Sequence, residues 1–191
     1  MASPYEISHT WDEPEGLTEL LNDIRVQRSD ADVRKIRYAY YLAEQAHSGQ
    51  MRATGDPYIT HPLAVTSILA HLRMDDATLC AALLHDTVED CQGFTSERIR
   101  EEFGEEIAVL VEGVTKLSFR TLDENSERQR KSTETDRAAE NLRKMLLAMA
   151  KDVRVMVIKL ADRLHNMQTL EGHKDPAKRI RISQETLDIF A

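Results

Sequence analysis

The sequence contains too few cysteines for a disulfide framework and no apolar segment long enough to span a membrane. Cys80 and Cys91 are the only cysteines among 191 residues, which predicts free thiols in a reducing compartment. No apolar run approaches the ~20 residues of a membrane span, and the polar, acidic segment 1–14 is unlike a signal peptide. The net charge of −8 gives no general attraction to nucleic acids or anionic membranes. We therefore predict a cytoplasmic protein that contacts neither a membrane nor a nucleic acid directly.

Aromatic residues are also scarce, at 5%, and the strict apolar–polar alternation of β-strands is almost absent. Hydrophobic residues make up 41% of the chain and charged residues 30%, which is typical of a folded soluble domain and excludes disorder. Apolar residues recur at three- and four-residue spacing in nearly every segment, beginning with Leu17, Leu20, Leu21 and Ile24. The sequence thus predicts an all-α fold, a compact bundle of many helices.

The helical pattern divides the chain into a polar arm, residues 1–16, and one helical domain, residues 17–191. The predicted helices cover residues 17–24, 33–47, 63–72, 75–90, 95–103, 107–117, 138–150, 153–170 and 176–191. Residues 50–60 form a loop with a short extended piece, and the arginine-rich stretch 118–136 forms a long loop that we expect to be mobile and to close over phosphates. No C-cap glycine or proline follows the last helix. We therefore expect the chain to be a fragment of a longer protein.

Two acidic groups and an imidazole interrupt the apolar segment Ala81–Asp90. His85 and Asp86 stand side by side, and Glu89 and Asp90 follow one helical turn later. Positions four apart share a helix face, so His85 aligns with Glu89 and Asp86 with Asp90. Burying these groups beside leucines is costly unless a cation or a proton network compensates them. A metal ion is the simplest compensation.

Other segments supply matching ligands for such a metal. His61 precedes the predicted helix 63–72, and Asp162 lies on the later apolar helix. Two imidazoles and two carboxylates suit an octahedral Mn²⁺ or Fe²⁺ with positions left for water, and lack the thiolates of structural zinc sites. The alternative is that His61 caps a helix and that Asp162 forms a buried salt bridge with Lys159 or Arg163.

The order His61, His85-Asp86 and Asp162 in a helical domain resembles the HD phosphohydrolase superfamily. The surrounding sequence resembles, more closely, the N-terminal hydrolase domain of the RelA/SpoT homologue family, which makes and destroys the alarmone (p)ppGpp. The strings that carry the resemblance are HSGQMR at 47–52, GDPYITHP at 55–62, LLHDTVED at 83–90, GVTKL at 113–117 and KLADRLHNM at 159–167. The string ENLRKM at 140–145 is similar to long, multidomain members, in which a synthetase domain would follow.

The resemblance implies a role for each of several side chains. It makes His61, His85, Asp86 and Asp162 the Mn²⁺ ligands and Glu89 and Asp90 the catalytic pair that handles the water. It places Arg52, Asn166 and Thr169 against the nucleotide, with Tyr58 nearby. Two positions depart from common family usage. Ala53 stands where a lysine often covers the guanine, and Gln168 where an arginine is frequent.

The implied reaction is Mn²⁺-dependent hydrolysis of the 3′-diphosphate of guanosine tetraphosphate or pentaphosphate. Its products are pyrophosphate and GDP or GTP. Three alternatives remain: an HD phosphohydrolase for another nucleotide, a catalytically silent regulatory domain of an alarmone synthetase, and a helical interaction module. Loss of a ligand or of the Glu89–Asp90 pair would mark a silent domain, and the sequence has lost neither.

Overall fold

The computed structural model describes residues 13–117, 143, 147 and 149–190, and in those residues the regular secondary structure is helical, with no named β-strand. The described helices are α1 Glu15–Gln27, α2 Val33–Ala46, α3 Thr60–His71, α4 Asp76–Leu84, α5 Thr87–Asp90, α6 Ser96–Phe103, α7 Glu105–Lys116, α8 Val153–Gln168, the 3₁₀ turn Leu170–Gly172 and α9 Pro176–Phe190. One isolated antiparallel bridge joins Met51 and Pro57 in the predicted 50–60 loop. The predicted all-α class is confirmed.

Three sequence-level expectations lie outside the described residues. They are the first twelve residues of the polar arm, the arginine-rich loop 118–136 and most of the predicted helix 138–150. None of the helices formed by the described residues is both long and apolar enough to cross a lipid bilayer.

Polar side chains define where several helices begin. Asp32, Asp75, Thr95 and Asp152 each precede a helix and accept a hydrogen bond from a backbone N–H of its first turn. These bonds satisfy donors that the helix itself leaves unpaired. Thr95, the first residue of the predicted helix 95–103, is one of these caps, with its Oγ1 3.2 Å from the Arg98 nitrogen.

Helix α4 is the centre of the core. Its residues Thr78–Leu84 are fully buried, and it packs against α2, α3 and α7. A helix that is apolar on all sides is stable only when other helices surround it. Helix α8 packs against α3, α4 and α7, so the C-terminal ends of α4 and α8 and the start of α3 meet in one region.

The prediction of a single helix over residues 75–90 is wrong at His85 and Asp86. Helix α4 ends at Leu84 and α5 begins at Thr87, so His85 and Asp86 lie between two helices. The Thr87 hydroxyl donates to the Leu84 carbonyl at 2.7 Å, and the His85 ring nitrogen Nδ1 lies 2.7 Å from the Ala82 carbonyl oxygen. These side chains compete for carbonyl groups that a continuous helix would use. The helix is therefore interrupted at His85 and Asp86.

A second boundary also differs from the prediction. Helix α3 begins at Thr60, not at Leu63, so His61 and Pro62 belong to its first turn. Proline is tolerated there because the first-turn nitrogens have no partner within the helix. His61 therefore sits on a rigid element and is not its cap, which removes one of the alternative interpretations of this residue.

Candidate functional site

Three segments converge on a buried polar centre. The first turn of α3 supplies His61, the α4–α5 connection supplies His85 and Asp86, and α8 supplies Asp162. His61 and His85 are each 1% exposed and Asp162 is 4% exposed. The Asp86 side chain keeps 19% exposure, so the centre opens to solvent on the Asp86 side. The structure thus brings together all four residues predicted as metal ligands.

The ligand atoms lie at distances that suit one shared cation. His61, His85 and Asp86 each offer one atom within 4.8 Å of the others. The His61 Nε2 is 3.7 Å from Asp86 Oδ2 and 3.2 Å from Asp162 Oδ1, and the His85 Nε2 is 3.2 Å from Asp86 Oδ1. Adjacent residues of a regular helix point about 100° apart. The break between α4 and α5 is what lets His85 and Asp86 face the same centre.

His85 provides the observation that tests whether this group of residues fits a cation. Its Nδ1 lies 2.7 Å from the Ala82 carbonyl oxygen, which can only accept, so the ring proton belongs on Nδ1. The buried Nε2 then presents a lone pair, and within the described residues it has no hydrogen-bond partner. That lone pair faces an acidic oxygen 3.2 Å away. Two facing electron-rich atoms repel unless a cation lies between them, so the donor set fits a divalent metal.

Asp162 serves two neighbours at once. Its Oδ2 accepts from the Lys159 ammonium at 2.9 Å, and its Oδ1 accepts from the Asn166 amide at 2.6 Å while facing His61. Burial alone would raise the pKa of Asp162, but the Lys159 charge and His61 hold this pKa well below its usual range. The ion pair with Lys159 named as an alternative is therefore present. It leaves Oδ1 directed at the centre, so the ion pair and a ligand role are compatible.

The protonation states match metal binding. Burial lowers the pKa of His61 despite the two nearby carboxylates, which favours the neutral imidazole that a metal requires. Burial opposes ionisation of Asp86, yet the pKa of this carboxyl lies below its ordinary value, because any positive charge on His85 or His61 favours the carboxylate and Tyr58 donates a hydrogen bond to it. A neutral imidazole beside two ionised carboxylates leaves the centre with an excess of negative charge, which a divalent cation would neutralise.

Tyr58 links the centre to the predicted catalytic pair. Its hydroxyl donates to Asp86 Oδ2 at 2.6 Å and lies 3.5 Å from Asp90 Oδ2. Burial, followed by the charge of Asp86, raises the pKa of Tyr58, so the hydroxyl stays protonated as a donor. Glu89 and Asp90 lie on α5, both half-buried, three and four residues after Asp86. The structure places Tyr58 against a carboxylate of the centre, which the sequence did not indicate.

The residues predicted to contact the nucleotide form a neighbouring cluster. Arg52 donates to the Asn166 side-chain oxygen at 3.2 Å and to the Thr169 hydroxyl at 3.0 Å. Asn166 in turn bonds to Asp162, which ties this cluster to the centre. Gly172 lets the 3₁₀ turn pack closely against the loop that follows Arg52, because a Cβ atom at Gly172 would come within 2.6 Å of the Thr54 side chain. The cluster therefore forms a polar wall, with one guanidinium, beside the four candidate ligands.

The two departures from family usage lie on the surface of the same region. Ala53 is exposed and follows Arg52 in the loop, and Gln168 is exposed at the end of α8 beside Thr169. Neither packs into the core. Both positions could thus accept a longer side chain without disturbing the fold.

Sequence reasoning assigned no role to one polar residue beside the centre, His165, and did not predict that Tyr58 contacts Asp86. His165 lies with its Nδ1 2.7 Å from the His61 Nδ1, and Tyr58 and Lys159 hold the two carboxylates. Burial, with His61 and Arg52 nearby, lowers the pKa of His165 to about 4, so it is neutral at pH 7. The available signal for His165 was its three-residue spacing from Asp162, which places both residues on one side of α8.

Comparisons with known proteins identify relatives along nearly the whole chain. The HD domain family matches residues 39–191. A GTP pyrophosphokinase of Myxococcus xanthus is 48% identical over 162 residues, which are 85% of this chain and 20% of the relative. The bifunctional (p)ppGpp synthase/hydrolase SpoT of Escherichia coli is 47% identical over 176 residues, which are 92% of this chain and 24% of the relative.

A solved structure shares the fold. It is described as a metazoan ortholog of SpoT that hydrolyses ppGpp and plays a role in starvation responses. It superposes with a TM-score of 0.58 at 26% identity, covering 81% of this chain and 84% of that one. The helical bundle described above is therefore the HD-domain fold. This chain spans about a fifth to a quarter of the length of the curated relatives.

Proposed function

Because the chain belongs to the HD-domain family and, within it, to the RelA/SpoT homologues, we propose that it hydrolyses the 3′-diphosphate of guanosine tetraphosphate and pentaphosphate. The products are pyrophosphate and GDP or GTP. One observation carries the proposal. A buried His85 nitrogen without a hydrogen-bond partner among the described residues faces a carboxylate in a centre of two histidines and two aspartates. A guanidinium wall suited to phosphate stands beside that centre.

We propose that His61, His85, Asp86 and Asp162 hold a divalent metal, and that this metal is Mn²⁺. Mixed nitrogen and oxygen ligands without thiolate suit Mn²⁺ better than a structural zinc. When bound, the ion supplies Lewis-acid charge that polarises water and neutralises phosphate oxygens. Asp86 is the most exposed of the four ligands, so water and substrate reach the centre from its side.

The chain's own residues then divide the chemistry. Glu89 and Asp90 accept the proton of the attacking water, whose oxygen forms a bond to the phosphorus attached at the ribose 3′ oxygen. The bond between that phosphorus and the 3′ oxygen breaks, and the 3′ oxygen takes up a proton. Tyr58 keeps Asp86 oriented through its 2.6 Å hydrogen bond. Arg52, Asn166 and Thr169 bind and orient the anionic nucleotide.

The proposal also extends to the domain organisation of a longer protein. The relatives are four to five times longer than the matched region, and two of them are called synthases or pyrophosphokinases. We propose that residues 17–191 are the hydrolase domain, preceded by the arm 1–16, of a cytoplasmic multidomain protein with a synthetase part. Its substrates would be nucleotides, and neither membrane nor nucleic acid would bind this domain directly.

A panel of nucleotides tests the substrate class. With Mn²⁺ present, the chain is incubated with guanosine tetraphosphate, guanosine pentaphosphate, a deoxynucleoside triphosphate and a cyclic nucleotide, and products are separated by ion-exchange chromatography. We expect turnover of the two alarmones alone. Preferred cleavage of a deoxynucleotide or cyclic nucleotide would assign the site to another HD phosphohydrolase reaction, and no cleavage at all would favour a silent regulatory domain.

Replacing Tyr58 with phenylalanine should weaken Mn²⁺ binding. The hydroxyl orients Asp86 without being a ligand, and loss of such partners typically costs about 10–100-fold in metal affinity. Titration of free Mn²⁺ by electron paramagnetic resonance measures the change. If Mn²⁺ affinity is unaltered while KM for the alarmone rises, Tyr58 acts on the nucleotide and the assigned role is wrong.

The substitution Ala53→Lys should improve substrate binding. A lysine at this exposed loop position, next to Arg52, can cover the guanine and add a positive charge near the phosphates. We expect KM to fall with little change in kcat, which is the signature of equal binding of ground and transition states. Initial-rate kinetics decide the matter, with Ala53→Gln as the uncharged control. An unchanged KM would mean that this position does not face the base.

A further inference from the structure

His165 stands behind one of the proposed metal ligands. Its Nδ1 lies 2.7 Å from the Nδ1 of His61, and the two ring centroids are 4.9 Å apart. A contact this short between two ring nitrogens requires one proton between them, because one nitrogen must donate and the other accept. The question is which ring carries it.

The surroundings of His61 decide the direction. Its other nitrogen, Nε2, faces Asp162 Oδ1 at 3.2 Å and Asp86 Oδ2 at 3.7 Å. To bind a cation there, Nε2 must present a lone pair, and a neutral imidazole has only one proton. That proton must then sit on Nδ1 of His61 and point at His165. His165 accepts it with its own Nδ1 and carries its proton on Nε2.

We propose that His165 is a positioning residue that fixes the Nδ1–H tautomer of His61 and so directs the Nε2 lone pair of His61 at the metal centre. The inference rests on the proposed function only in taking this centre as a divalent-cation site. The contact that carries this role is the one with His61, so His165 would act through His61.

The second histidine of the centre shows the same arrangement. The Nδ1 of His85 is held by the Ala82 carbonyl oxygen at 2.7 Å, which leaves its Nε2 directed at the centre. Both imidazoles are thus oriented from behind by an acceptor, a backbone carbonyl in one case and a histidine in the other. His61 is 1% exposed, so bulk water does not readily replace the acceptor if His165 is lost.

Helix α8 is built to supply this acceptor. His165 follows Asp162 by three residues, so one side of the helix presents a carboxylate to the front of His61 and an imidazole to its back. A residue that only filled space at this position would not need a nitrogen atom 2.7 Å from the Nδ1 of His61. The geometry therefore predicts that the acceptor atom, and not the ring volume, is what matters.

A matched pair of variants tests the inference. In His165→Asn the side-chain oxygen can take the place of Nδ1 and accept from His61, whereas in His165→Leu a side chain of similar size cannot. The readout is Mn²⁺ affinity, measured by electron paramagnetic resonance of the free ion, with thermal unfolding recorded for both variants. We expect His165→Leu to raise the Kd for Mn²⁺ by about 10–100-fold and His165→Asn to stay close to wild type.

The outcomes separate this inference from the proposed function. Wild-type affinity in His165→Leu, or equal losses in both variants, would overturn the positioning role while leaving the metal site intact. Absence of Mn²⁺ binding by the unmodified chain would overturn the proposed function and this inference with it. If a variant fails to fold, nitrogen-15 NMR of the unmodified metal-free chain decides. We expect a His61 ring protonated at Nδ1, and protonation at Nε2 would overturn the inference.

Discussion

Replacing Asp86 with asparagine is expected to abolish both Mn²⁺ binding and alarmone hydrolysis, whereas Glu89→Gln is expected to retain Mn²⁺ and to slow hydrolysis. Asp86 lies 3.2 Å from His85 Nε2 and 3.7 Å from His61 Nε2, within the group that can share one ion. Asparagine keeps its size but removes the charge. Glu89 lies on α5, beyond the interruption, and is assigned to proton transfer. Its kcat should fall by about 10²-fold or more, as for a positioned general base.

Two readouts and a matched control make the comparison sharp. Calorimetry reports bound Mn²⁺, and pyrophosphate release reports the chemistry. Asp23→Asn, on the exposed side of α1, removes the same charge away from the centre and should change neither. The division of roles is wrong if Glu89→Gln hydrolyses the alarmone at the normal rate, or if it loses Mn²⁺ as completely as Asp86→Asn does.

Removal of the metal should produce the other large effect. In the proposed site the Lys159 ammonium offsets the charge of one carboxylate and the cation would neutralise the negative charge that is left, so the anionic substrate would be repelled without the cation. We expect chelation followed by gel filtration to abolish hydrolysis and added Mn²⁺ to restore it. Activity is followed as pyrophosphate released, and residual metal by atomic absorption.

Comparison with other ions adds specificity to this test. Mg²⁺ prefers oxygen ligands in a near-ideal octahedron. Because two of the four proposed ligands are imidazoles, Mg²⁺ should restore less activity than Mn²⁺. Full turnover by a preparation shown to be metal-free would contradict the account of the centre, whatever its response to added ions.

The sequence revealed the elements of this site that depend on local pattern. The helical spacing of apolar residues predicted the all-α class, and the adjacent His85 and Asp86 in an apolar segment marked the centre before any contact was known. The cap at Thr95 also depends on local sequence, since Thr95 precedes its helix by one residue and needs only the local chain to bond to the Arg98 nitrogen.

The helix break between Leu84 and Thr87 was hidden from the sequence. Both flanking segments continue one helical pattern, and the interruption depends on side chains of His85 and Thr87 competing for two carbonyl groups. The spacing of apolar residues does not indicate whether a carbonyl group accepts a hydrogen bond from the helix backbone or from a side chain. The alignment of His85 with Glu89 on one helix face was inferred from a continuous helix that does not exist.

Contacts between residues that are far apart in the chain could not be predicted from the sequence either. His165 and His61 are 104 residues apart, and Tyr58 and Asp86 are 28 apart. Their meeting depends on how α8 and α3 pack against each other and against α4, which no local pattern specifies. The residues that touch the proposed ion and substrate could be named in advance. Those that orient them, Tyr58 at Asp86 and His165, needed the structure.

The most direct test of the central claim is the product balance of a single reaction. The purified chain is incubated with Mn²⁺ and guanosine tetraphosphate, and pyrophosphate and GDP are quantified together, with Asp86→Asn as the blank. The account predicts equal amounts of pyrophosphate and GDP, and neither product from the blank. It is contradicted if orthophosphate is released in place of pyrophosphate, or if the unmodified chain releases no more than Asp86→Asn.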